Sequence, residues 1–97
     1  MKRGSRPRPL GDIMKELLKN LGPGTRLFEA SVIAAWQDIS GRQIRKATER
    51  VWLEKRRLFV KVSSASWRQE LHLQRRAWCD RLNQELGRDV VDEIIFR

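Results

Sequence analysis

Chemistry in this chain has to come from arginine, lysine and the aromatic rings, because the sequence supplies little else that reacts or binds. Between positions 42 and 61, Arg42, Arg45, Lys46, Arg50, Lys55, Arg56, Arg57 and Lys61 outnumber Glu49 and Glu54, and Trp52 and Phe59 stand among them. Cationic side chains attract phosphates, and aromatic rings offer faces on which unpaired bases stack. A second basic group, Lys2, Arg3, Arg6 and Arg8, lies at the start of the chain. With 21 basic residues against 12 acidic ones, the formal charge is +9 and the sequence pI about 11.0. That balance points to a polyanionic partner, although charge alone does not choose between DNA and RNA.

Other chemistries lack their residues. A nucleotide-driven motor needs a glycine-rich loop ending in Lys-Ser/Thr, and there is none. His72 is the only histidine and has no second ligand or nucleophile near it in sequence, so it reads as a boundary residue. Asp89, Asp92 and Glu93 would alternate between strand faces, which suits a solvated strand end better than a metal cluster. Cys79 is the only cysteine, which excludes an internal disulfide and a cysteine-rich zinc site. The expectation is a protein without catalytic residues, cofactor, metal or small-molecule substrate. No apolar run approaches the roughly 20 residues that span a bilayer, and the basic start MKRGSRPRPLG is not followed by a signal-like apolar stretch. A reducing cytoplasm, with no membrane partner, fits.

The elements that must position the basic and aromatic residues follow from periodicity. Residues 1–9, with two prolines and almost nothing to bury, read as a flexible basic arm. The single domain expected over 10–97 begins with a helix over roughly 10–20, on the stripe Leu10, Ile13, Met14, Leu17, Leu18 and Leu21, ended by Gly22-Pro23-Gly24. Thr25 is placed to cap a second helix carrying Phe28, Val32, Trp36 and Ile39, closed near Gly41 and followed by a short helical piece to Ala47. The period then shortens to two. Val51 and Leu53, then Leu58, Val60 and Val62, form the arms of a hairpin. Its turn is either two residues or four, Glu54 to Arg57, and both set Leu53 against Leu58, Val51 against Val60 and Trp52 against Phe59. Ser66 with Gln69 has the capping-box spacing, opening one long helix to Leu86 on Trp67, Leu71, Trp78 and Leu82, with Gly87 after it. A last strand puts Val90, Ile94 and Phe96 on one face and Glu93 and Arg97 on the other. The order α-α-β-β-α-β is an α+β plan, a three-stranded sheet with helices on one side.

Parity then separates the aromatics. Trp36, Trp67 and Trp78 fall on helical stripes and read as core. If Val51, Leu53, Leu58 and Val60 face the helices, Trp52 and Phe59 face away, exposed and flanked by Arg50 and Lys61. An exposed aromatic pair edged with cations serves equally well as a platform for bases or as a surface covered by another protein or by the first helix of this chain.

The tryptophan of "VIAAWQDISG", the segment "LFVKVSSASWRQEL", then "LNQELG" and "IIFR" together resemble the DciA-like family of bacterial proteins that assist the replicative helicase DnaB. The likeness runs from Leu10 to Arg97. It implies a fold similar to a KH domain, binding to single-stranded or forked DNA without sequence specificity, and a role in placing DnaB on single strands. The Gly-x-x-Gly loop of true KH domains has as its nearest counterpart Gly41-Arg42-Gln43-Ile44, so a KH-type backbone clamp is not implied. An RNA-binding protein of KH type acting on ribosomes or transcripts is the alternative reading, and a pure protein-interaction module with an acidic partner is a third.

Overall fold

The computed structural model describes residues 25–97. The basic arm with Lys2, Arg3, Arg6 and Arg8 and the helix expected over 10–20 lie outside them. The described chain is α+β, three helices and a three-stranded sheet.

Helix α1 spans Arg26–Ala47. Thr25 opens it as the sequence predicts, its hydroxyl accepting from the Phe28 N–H at 3.0 Å. Phe28, Val32, Ala35, Trp36 and Ile39 recur at helical spacing and are all buried. The break expected near Gly41 is a kink inside the element: Gly41 takes φ 87, ψ 172, in the half of backbone space that side chains with a Cβ avoid. Beyond it, Ile44 turns inward while Arg45 and Lys46 sit in the last turn, where the helix dipole favours cations.

Strands β1, Thr48–Glu54, and β2, Arg57–Val62, form the antiparallel hairpin. The pairs are Val51 with Val60, Trp52 with Phe59 and Leu53 with Leu58, the register that parity demands. The turn is the shorter of the two lengths, Lys55-Arg56, since Glu54 pairs with Arg57. Lys55 has φ 56, a conformation that costs a non-glycine residue about 1 kcal/mol or more. Strand β3, Glu93–Phe96, runs parallel to β2 on its other side, so β2 is central.

Between β2 and β3 the chain departs from the expected single long helix. It forms α2, Ala65–Leu73, and α3, Arg75–Leu86, divided at Gln74. No glycine or proline marks this break, so periodicity could not reveal it. The N–H of Gln74 bonds back to Leu71 over three residues, and the Arg75 guanidinium donates to the His72 carbonyl at 2.9 Å, which satisfies backbone groups that the break releases. The cap is also shifted. Ser64, not Ser66, accepts from the N–H of Trp67 at 3.3 Å, and Ser66 lies exposed inside the first turn. Gly87 ends α3 in the left-handed conformation with φ 83, as expected of a C-terminal glycine.

The core lies between the helices and one sheet face. Trp36, Val32, Leu58, Val60, Leu71, Leu82, Leu86 and Ile94 are fully buried. The Trp36 ring meets Trp78 edge to face at 5.3 Å and Phe96 at 5.8 Å. Trp67 and Trp78 are half-buried and pack against this cluster. Val90 is buried but precedes the strand instead of belonging to it. Asn83 holds it there: its side-chain oxygen accepts from the N–H of Val90 and of Val91, each at 3.0 Å, and its amide donates to the Val91 carbonyl at 2.8 Å. Among the described residues, no helix is long and apolar enough to cross a membrane.

Candidate nucleic-acid interface

The sheet face turned away from the helices carries the candidate site, and strand pairing arranges it in three rows. Trp52, Phe59 and Ile95 form the middle row, because β1 and β3 both pair with β2 at Phe59. On the turn side are Glu54, Arg57 and Glu93. On the other side Arg50 pairs with Lys61. Arg97 completes that row, since its N–H donates to Val60 and its carbonyl accepts from Val62, bracketing Lys61. An aromatic row thus borders a row of three cations.

The rings of Trp52 and Phe59 stack at 5.3 Å between centroids and 6° between planes. The Arg50 guanidinium carbon stands 4.7 Å from the Trp52 centroid, and those of Arg97 and Arg57 stand 4.9 and 5.8 Å from the Phe59 centroid. Cation–π contacts of this kind contribute about 0.5–1 kcal/mol at exposed sites and hold the guanidinium groups over the aromatic row.

Two expectations are corrected here. Phe59 is not exposed: only 4% of its surface is accessible, because it sits in the central strand with Trp52 stacked on it and two arginines over it. Trp52, on the edge strand, is half-buried and is the ring with free surface. Lys61 flanks the pair less freely than parity suggested, with its Nζ 3.6 Å from the Glu49 carboxylate.

The remaining basic candidates fall into separate places. Arg42, Arg45 and Lys46 are exposed on the last two turns of α1, with Arg45 bordering a cleft that Glu49 and Arg50 also line. Lys55, Arg56 and Arg57 are exposed at the turn, at the far end of the hairpin. Arg56 is already engaged: its guanidinium contacts the Asp92 carboxylate at 2.9 Å and the Asp89 carbonyl at 3.1 Å. Arg97 belongs to the site although composition did not single it out. The signal was present in its position on the outer face of the last strand, but only the pairing of β3 with β2 brings it beside Lys61.

Among the described residues, no group of three or more His, Cys, Asp or Glu side chains lies close enough together to hold a metal ion. Cys79 is buried and its thiol is pushed above its ordinary range, first by desolvation and then by the carboxylates of Asp80, Asp92, Asp89 and Glu93. That disfavours the reactive thiolate. Gly41 cannot begin a KH-type clamp, because Ile44 occupies the second glycine's place and is a core residue.

Compared with known proteins, residues 9–96 match the model of the family described as Dna[CI] antecedent, DciA. No curated protein and no solved structure matches the chain.

Proposed function

The chain belongs to the DciA family, and on that premise we propose that it is a noncatalytic DNA-binding adaptor that assists the loading of the replicative helicase DnaB onto single-stranded DNA in the bacterial cytoplasm. The observation that carries the DNA half is the row Arg50, Lys61 and Arg97 laid beside Trp52. Phosphates on the cationic row and a base on the adjacent indole are the two contacts that single-strand binding requires, and neither reads sequence. Attraction of this kind releases counterions, so affinity falls by orders of magnitude between about 50 and 200 mM salt.

The test has two parts. Fluorescence anisotropy with single-stranded oligonucleotides across that salt range is expected to give a steep salt dependence, and a flat response overturns the binding mode. Capture from the source cell after nuclease treatment is expected to recover DnaB. Recovery of ribosomal proteins instead replaces the helicase reading with the RNA one.

A further inference from the structure

At the open end of the hairpin, Glu49, Arg50, Trp52, Lys61 and Arg97 border a cleft of about 440 Å³. That lies within the range of pockets that hold small molecules, about 300–1,000 Å³. Four of these residues suit a nucleic acid strand. Glu49 does not suit phosphate at all, and its position is specifically built.

The register of β1 slips between Thr48 and Arg50, leaving Glu49 as an extra residue opposite β2. In a regular strand Glu49 and Arg50 would point to opposite faces, but a bulge breaks the alternation and re-aims a side chain. Here both border the same cleft as Trp52. The ion pair to Lys61 at 3.6 Å then holds the carboxylate at the cleft, with both side chains about half exposed. Against phosphate alone a carboxylate in this place weakens binding. Against a base it is a hydrogen-bond acceptor beside a stacking ring.

The geometry points to a pocket for one unpaired nucleotide: the base lies on Trp52 with its exocyclic amine donating to Glu49, while Arg50 and Arg97 take the flanking phosphates. Arg50 stands over the indole in the free protein, so an entering base replaces a cation–π contact and releases the guanidinium toward phosphate. This rests on the single-strand reading above and adds a preference to it. Cytosine presents an amine on its pairing edge, whereas thymine presents a carbonyl there and meets the carboxylate acceptor against acceptor. The preference is for base composition at one position, superimposed on binding that is otherwise indifferent to sequence.

The experiment compares oligodeoxycytidine with oligothymidine of equal length, at neutral pH and one fixed low salt concentration, on the full chain and on Glu49→Ala. The wild type is expected to bind oligodeoxycytidine about fivefold more tightly, the net worth of one ordinary hydrogen bond, since the Glu49 carboxylate is about half exposed and already paired with Lys61. Glu49→Ala is expected to bring the two affinities together, with that for oligothymidine rising as repulsion of phosphate is lost. If Glu49 only neutralises Lys61, its removal raises both affinities alike and leaves their ratio unchanged, which overturns the pocket. A wild type with no preference overturns it too. Arg97→Ala, expected to weaken both oligonucleotides equally and keep the ratio, separates a phosphate contact from the base contact. Failure of the wild type to bind either oligonucleotide defeats the single-strand reading itself, a result distinct from binding without preference.

Discussion

The sheet gathers three basic residues at each end of the hairpin, Lys55, Arg56 and Arg57 at the turn and Arg50 and Lys61, joined by Arg97 from the end of the third strand, at the other, yet the two ends are not equivalent. At the turn, Arg56 is committed to Asp92 and to the Asp89 carbonyl, and Arg57 lies in a row between Glu54 and Glu93. At the open end, Lys61 alone has an acid within ion-pair distance among the described residues. The turn arginine ties the hairpin to the segment before β3, while at the open end Arg50 and Arg97 have no acid within ion-pair distance among the described residues. A count of cations therefore overstates the site, because an arginine that the fold has supplied with a carboxylate offers less attraction to phosphate.

Several substitutions test this contrast. The largest effect is expected inside the aromatic row: Phe59→Ala, which empties a buried position of the central strand, costs about 3–5 kcal/mol of stability. Trp52→Ala leaves folding largely intact and weakens single-stranded DNA binding by about 1–3 kcal/mol with duplex binding nearly unchanged. Chemical denaturation and anisotropy titrations separate the two, and an unfolded Trp52→Ala would move the indole into the core. Next, Asn83→Ala leaves the Val90 and Val91 N–H groups without their acceptor, the Val91 carbonyl keeping the Cys79 thiol, and is expected to cost about 2–3 kcal/mol in denaturant melts, loosening the segment that presents Asp92 to Arg56. A change below the error of the melts would remove that clamp from the account.

Charge reversal addresses the two ends directly. Arg50→Glu with Arg97→Glu is expected to lower single-strand affinity more than tenfold and to flatten the salt slope, whereas Arg56→Ala, which breaks an exposed ion pair, changes stability by less than about 1 kcal/mol and affinity little. Equal losses of affinity from both would erase the distinction between the ends. At the serine corner, Ser64→Ala costs about 1 kcal/mol through the lost cap, and Ser66→Ala is close to neutral in the same thermal melts. The smallest effect concerns Cys79. Its folded pKa is raised, so its contribution to stability is complete below the unfolded thiol's pKa of about 8.5 and is lost as pH rises above it. Cys79→Ala is expected to flatten that alkaline decline in a pH series of melts, and an unchanged slope would assign the decline to other groups.

Much of this arrangement was legible before the fold was known, for a particular reason. Thr25, Gly41 and Gly87 act through their own backbone or that of residues three or four positions away, so local spacing reveals them. The hairpin register followed from the centre of the turn together with alternation, since a slip of one residue would turn Leu58, Val60 and Val62 to solvent. The same parity put Trp52 and Phe59 side by side on the outer face. Choosing Ser64 over Ser66 was harder, because three nearby serines offer the same hydroxyl and the phase of the following helix decides among them.

The α+β class, the hairpin pairing and the cationic character of the chain were thus set by residue type and short-range period. Tertiary structure decided which cations remain available and which ring is covered. Arg56 meets Asp92 across 36 positions, and Arg97 reaches Lys61 only because β3 pairs in parallel with the middle strand. Phe59 is buried because that strand has neighbours on both sides, while Trp52 keeps free surface because its strand is an edge. Periodicity assigns a side chain to a face; its neighbours on that face come from strands and helices distant in sequence, and they determine its burial, its charge partner and its access to a ligand.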